Sequence, residues 1–226
     1  MINKINTLII LIIFTSISFP QNKTIEKDSS LYLQNPNYFI QTELYNVYRM
    51  KHAKIVMLGN SITHGANWNE LLNRNDVVEM GISGDYTSGY LMRLEYVYKL
   101  KPDVCFVMGG INDLYYGKKV NEVFQNIVRI TDSLKFHNIK IVLQSALFVK
   151  NGSPFLETIN ERVDSLNIYL KKYASENNII YLELNNKLSV DKNLIDEYSI
   201  DGVHLSAQGY KIWSAAVIKT LLKLKI

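Results

Sequence analysis

Residues 55–63 read Ile55-Val56-Met57-Leu58-Gly59-Asn60-Ser61-Ile62-Thr63. An apolar run this short, with no polar alternation, predicts a strand buried on both faces, and the glycine lets the chain turn sharply out of it. The same order returns downstream. Val77 to Met80 leads into Gly81-Ile82-Ser83-Gly84-Asp85, and Val104 to Met108 leads into Gly109-Gly110-Ile111-Asn112-Asp113. Ile139 to Leu143 and Ile179 to Leu182 are further apolar runs of strand length. Between them, Tyr90 to Leu100, Val120 to Phe136 and Glu157 to Ser175 carry apolar residues three and four apart, the spacing of an amphipathic helix. Strands that are apolar throughout, alternating with helices, predict an α/β fold: a three-layer α/β/α sandwich around a mainly parallel sheet of about five strands. In such sheets ligands bind beyond the carboxyl ends of the strands, so the residues after each run are the ones to read for chemistry.

The 226 residues fit one core, which commonly serves domains of up to roughly 250 residues. Hydrophobic residues at 47% and charged residues at 20% are those of a folded chain. The N-terminus stands apart: Lys4 precedes the apolar run Leu8 to Phe14, and Ser16 and Ser18 supply small residues for cleavage. This predicts a signal peptide over residues 1–21, because the run is well short of the roughly 20 residues that span a bilayer, and a single domain over residues 22–226. The expected location is outside the cytoplasm, periplasmic or secreted, with no stable membrane insertion once the leader is removed. A net charge of +4 from scattered Lys and Arg does not call for a nucleic acid, and Lys219, Lys223 and Lys225 read as the solvated face of a C-terminal helix. Cys105, the lone cysteine, lies inside an apolar run and reads as a small buried hydrophobe; no intrachain disulfide is possible.

Four loop segments carry chemistry-bearing residues. Ser61 follows the first strand at a sharp turn, where a hydroxyl is presented at the sheet edge as a nucleophile, although a serine after a strand also serves as a helix N-cap. Gly81 and Gly84 give the second loop a backbone whose N–H groups can approach a ligand closely, or simply form an ordinary turn. Asn112 follows a glycine pair and offers an amide donor to a developing oxyanion, or caps a turn. Asp201 precedes His204 by three residues, so its carboxylate can accept from one ring nitrogen and leave the other as a base; a local cap of the helix beginning near Ser206 is the competing reading.

Taken in order, Gly59-Asn60-Ser61, Gly84, Gly110-Ile111-Asn112-Asp113 and Asp201-Gly202-Val203-His204 resemble the sequence blocks of the SGNH hydrolase superfamily, the GDSL-like lipases and acylhydrolases, over nearly all of the chain after the leader. The resemblance implies a flavodoxin-like sandwich in which Ser61 attacks an ester carbonyl, His204 moves the proton and Asp201 orients the imidazole. It places the oxyanion between the N–H groups of Ser61 and Gly84 and the amide of Asn112. Two positions depart from the family pattern. Asn60 stands where aspartate is usual, keeping an acceptor oxygen but losing the charge, and Thr63 stands where leucine is usual. His64 is a competing base with no nearby aspartate to orient it, while His52 and His137 read as surface residues. No metal-ligand spacing and no phosphate loop is present, so neither a metal nor a nucleotide cofactor is expected.

Trp68, Tyr86, Tyr115, Tyr116 and Phe148 follow strand ends, where they can line a pocket and stack on sugar rings; core or loop packing is the competing reading for each. With no long apolar lid between the blocks, the expected activity is an esterase acting on a small-molecule or glycan ester, above all O-acetyl groups on carbohydrates, as in the exported bacterial acetylesterases and sialate O-acetylesterase-like proteins that the motif forms resemble. A lysophospholipase or thioesterase is the alternative within the family. A glycan-binding protein without catalysis is the alternative outside it.

Overall fold

A computed structural model of the chain describes residues 31–150 and 154–226; the leader read over residues 1–21 lies outside them. Five parallel strands form the sheet: β1 (Ile55–Gly59), β2 (Val77–Gly81), β3 (Val104–Val107), β4 (Lys140–Gln144) and β5 (Ile180–Leu182), in the order β2-β1-β3-β4-β5. Register is set by pairs such as Gly59 with Gly81 and Leu58 with Val107. Ile55, Val56, Met57 and Leu58 are fully buried, as a central strand covered on both faces must be.

The chain enters through α1 (Pro36–Val47) and reaches α2 (Ser61–His64) and α3 (Trp68–Leu72) after β1. Then come α4 (Thr87–Met92) and α5 (Leu94–Leu100) after β2, α6 (Ile111–Tyr115) and α7 (Val120–Phe136) after β3, and α8 (Pro154–Glu176) after β4. Past β5 lie α9 (Asn185–Leu188), a small antiparallel hairpin of β6 (Ser189–Val190) and β7 (Asn193–Leu194), and α10 (Ala207–Leu224). Right-handed crossovers put the helices that lead from β1 to β2 on one face and those that follow β2, β3 and β4 on the other. The packing agrees: α7 lies against α4 and α8, whereas α3 lies against α10. Val123, Ile127, Ile130 and Leu134 are the buried stripe of α7, three and four residues apart as its sequence requires.

On the opposite face Trp68 and Trp213 meet edge to face at 4.7 Å, and both indole N–H groups are satisfied, by the Thr63 carbonyl and by Gln144 Oε1. This arrangement corrects the sequence expectation for Trp68. Its ring is 1% exposed and belongs to the core, with no face left for a sugar. Phe148 is likewise buried in the core.

The single helix expected over Tyr90 to Leu100 is two helices, broken at Arg93, whose backbone leaves the helical region at φ −118° and ψ 12°. Arg93 is fully buried, and its guanidinium donates to Asp85 Oδ2 at 2.9 Å, to the Met80 carbonyl at 2.8 Å and to the Gly59 carbonyl at 2.9 Å. A buried guanidinium left unpaired would cost several kcal/mol, so these three acceptors decide the local backbone rather than helix propensity. They also tie together the ends of β1 and β2 and the loop beyond β2. Because β1 has β2 on one side and β3 on the other, its carboxyl end is where the winding direction reverses, the place where sheets of this kind bind their ligands.

Candidate active site

The turn out of β1 explains how Ser61 is presented. Asn60, 1% exposed, is the N-cap of α2: its Oδ1 accepts the Ile62 N–H at 3.0 Å. Ser61 is the first helical residue and is free of capping duty, so its hydroxyl is available to another partner. A Cβ at Gly59 would stand 1.9 Å from Thr63 Oγ1, so the glycine is required by the threonine one turn further on.

That other partner is 143 residues away: Ser61 Oγ lies 2.9 Å from His204 Nε2. His204 Nδ1 lies 2.6 Å from Asp201 Oδ2, and Asp201 Oδ1 accepts the N–H groups of Val203 at 2.9 Å and His204 at 2.7 Å. Burial acts to raise the Asp201 carboxyl, but the His204 N–H, the imidazole and the Val203 N–H outweigh it and hold the group down at about 2. A carboxylate only accepts, so Nδ1 must donate to it, and Nε2 is then the lone pair that faces the Ser61 hydroxyl. The N-cap of α10 is Ser206, whose Oγ accepts the Gly209 N–H; Asp201 does not serve there. The arrangement can take a proton from Ser61 and return it.

The loops after β2 and β3 carry the two further donor candidates. Asn112 Nδ2 donates one hydrogen to the Asp85 carbonyl at 2.9 Å, which fixes the amide and leaves its second hydrogen to aim elsewhere. Gly84 has φ +74°, a backbone that favours glycine, and exposes its peptide. The loops that carry these groups are cross-linked by buried side chains. Asp113 accepts from Thr87 Oγ1 at 2.7 Å and from the Thr87 N–H at 3.0 Å, and Asp85 accepts from Arg93 and from the Tyr86 N–H. Burial pushes both carboxyls up to about 6 despite these bonds.

Tyr115 and Tyr116 are exposed, Tyr86 is half-buried and meets Tyr116 at 6.0 Å, and burial together with the charge of Asp201 raises the Tyr115 hydroxyl. These three rings, not Trp68 or Phe148, remain open to a ligand. His64 departs from its expectation in one respect. A carboxylate does stand beside it, since its Nδ1 is 3.2 Å from Glu79 Oε2, while Glu79 Oε1 accepts the Gly81 N–H. His52 and His137 are exposed, His137 stacking on Tyr98.

Sequence reasoning missed Arg93, Asp85 and Glu79 as organisers of the site. The signal for Arg93 was present: it lies three residues from Tyr90 and four from Val97, on the apolar stripe of its segment, where a charge must find a partner.

A sheet in the flavodoxin-like order, with a hydroxyl, an imidazole and a carboxylate in line beyond its carboxyl edge, has the parts of a serine hydrolase on an α/β sandwich. Residues 57–212 match the model of the GDSL-like Lipase/Acylhydrolase family, and the chain belongs to that family. A GDSL-like lipase of Bacteroides thetaiotaomicron is 27% identical, with a TM-score of 0.73 over 83% of this chain and 98% of that one. A mutant of an acetyl-xylooligosaccharide esterase of Geobacillus shares the fold at a TM-score of 0.62 and 21% identity, over 76% of this chain and 95% of that one. The N-acylneuraminate cytidylyltransferase of Streptococcus agalactiae serotype V is 32% identical over 104 residues, which are 46% of this chain and 24% of the relative. The chain thus spans about a quarter of the length of the curated relatives that it matches. Family membership and the assembled groups leave the non-catalytic glycan-binding alternative without support.

Proposed function

We propose that the protein removes O-acetyl groups from carbohydrates, sialic acids among them, through an acyl-enzyme on Ser61. The observation that carries the serine chemistry is the unbroken line Asp201–His204–Ser61, with links of 2.6 and 2.9 Å. As His204 Nε2 takes the hydroxyl proton, Oγ bonds to the ester carbon and the carbonyl electrons move onto oxygen. The N–H groups of Ser61 and Gly84 and the free hydrogen of Asn112 receive that oxyanion, each such donor being worth about 10² to 10³ in rate. Collapse expels the sugar alkoxide, which takes the proton from His204. Water, giving a proton to the same nitrogen, then attacks the acyl carbon, and the return of the proton to Oγ frees acetate.

The carbohydrate part rests on two supports: the open Tyr86, Tyr115 and Tyr116 rings, and the likeness to a relative named for an N-acylneuraminate. Export to the periplasm or medium, from the leader over residues 1–21, completes the reading; N-terminal sequencing of the mature protein tests it.

Ser61→Ala is expected to lower hydrolysis of nitrophenyl acetate by something on the order of 10⁶ and to abolish fluorophosphonate labelling. Retained labelling would reject Ser61. A series of nitrophenyl esters is expected to favour acetyl, and acetate release from O-acetylated sialic acid is expected to exceed that from acetylated xylan. Preference for octanoyl would replace the deacetylase reading with a lysophospholipase or thioesterase.

A further inference from the structure

We infer that Asn35, the N-cap of α1, is a positioning residue for the oxyanion site, acting through the peptide between Ser83 and Gly84. That peptide unit contributes the Ser83 carbonyl at one end and the Gly84 N–H at the other. Asn35 Nδ2 donates to the Ser83 carbonyl at 2.9 Å, and Asn37 Nδ2 donates to the same oxygen at 3.3 Å. In a trans peptide the carbonyl and the N–H point in opposite directions, so holding the oxygen against α1 turns the Gly84 N–H away from α1. Withdrawing density at the oxygen also makes the N–H a better donor, because hydrogen bonds in a chain polarise one another.

The Asn35 side chain is itself fixed. Its Oδ1 accepts the Asn37 N–H at 3.1 Å, so its two ends are both committed, and the residue is 8% exposed. Gly84 at φ +74° has no Cβ, and one built there would lie 3.4 Å from Asn35 Nδ2, so the side chain packs closely on the peptide that it holds. Both asparagines lie before residue 57, outside the segment that the family model matches. The N-terminal helix therefore supplies this chain with a brace that the family blocks do not contain.

The inference rests on Gly84 N–H as an oxyanion donor, so the test uses the tetrahedral boronate formed when phenylboronic acid adds to the serine as a probe of that site. Asn35→Ser keeps a capping oxygen and removes the donor to Ser83. It is expected to lower kcat on nitrophenyl acetate about tenfold, short of the ~10² to 10³ for loss of a direct donor, with KM nearly unchanged and phenylboronic acid affinity reduced in parallel. Asn37→Ala leaves the cap intact and is expected to lower both about twofold to threefold, in keeping with its longer bond; it decides the matter if Asn35→Ser does not fold. Unchanged kcat and boronate affinity in the folded variants would overturn the inference, as would a loss of thermal stability alone. If the wild type binds no boronate and Ser61→Ala stays active, it is the serine mechanism that fails instead.

Discussion

The two halves of the candidate site are built differently. On one side Asp85, Arg93 and Asp113 are 0–2% exposed and lock the loops after β1, β2 and β3 into one buried network. On the other, the side chains of Asp201 and His204 are 49% and 36% exposed and sit on a loop held by backbone bonds, among them Ile200 N–H to the His204 carbonyl and Lys150 N–H to the Gly202 carbonyl, and by the Ser199 hydroxyl, with no buried charge. Donors that must meet a charge appearing only in the transition state gain from a rigid, dry frame. A proton carrier needs only its tautomer and direction fixed, and a neighbour three residues away suffices for that. The difference teaches that rigidity is placed where reorganisation would be most costly, not uniformly around the site.

Four substitutions bear on that contrast, in falling order of expected effect. Asp201→Asn, in the open half, is expected to lower kcat by about 10² to 10⁴ through the wrong imidazole tautomer while leaving Tm within about 2 °C. A Tm loss greater than about 5 °C would show that the open loop is structural after all. In the buried half the effect should reverse in kind. Arg93→Met leaves the Asp85 carboxylate and two carbonyls without their donor and is expected to cost about 3–5 kcal/mol in urea unfolding; a loss below about 1 kcal/mol would break the distinction.

Asn112→Ala lies between the two, at the inner rim. It should reduce kcat by about 10² to 10³ while the lost bond to the Asp85 carbonyl costs only about 1 kcal/mol of stability. A variant with full activity would remove the amide from the oxyanion site.

The smallest effect concerns pH. Burial, opposed by the Thr87 bonds, raises the Asp113 carboxyl from 3.8 to about 6, so between these values the native form holds a proton that the unfolded chain has lost. The associated stability is complete below 3.8 and disappears as pH climbs through 6, a change of about 3 kcal/mol. Urea unfolding at pH 4 and pH 7.5 should show a fall with rising pH in the wild type that is about 2–3 kcal/mol smaller in Asp113→Asn. Equal falls would mean that Asp113 ionises as readily in the native protein as in the unfolded one.

The line of Ser61, His204 and Asp201 was legible because each follows an apolar run or sits in a short local pattern, and several such patterns in order, those of Gly84 and Asn112 with them, constrain one another. Trp68 and Phe148 were open to both a pocket and a core reading for a related reason: position after a strand says that a side chain is near the sheet's carboxyl edge, not which way it faces. Trp68 turned inward to Trp213, 145 positions later in the chain. Arg93 was passed over because helical periodicity describes a face without naming what opposes it. Glu79 was passed over inside a strand that otherwise reads as apolar, and its partner His64 was judged without it.

By itself, then, the amino-acid sequence determined the alternation of strands and helices, the parallel sheet and the candidates for the reactive groups, because those depend on hydrophobic period and on turns a few residues long. Only the tertiary structure decided that Ser61 meets His204 across 143 residues, that Arg93 joins the ends of two strands, and that α1 braces the Ser83 carbonyl from 48 residues away. Contacts of that separation are selected by the burial of charge and the satisfaction of polar groups throughout the folded chain, and no local stretch of residues specifies them.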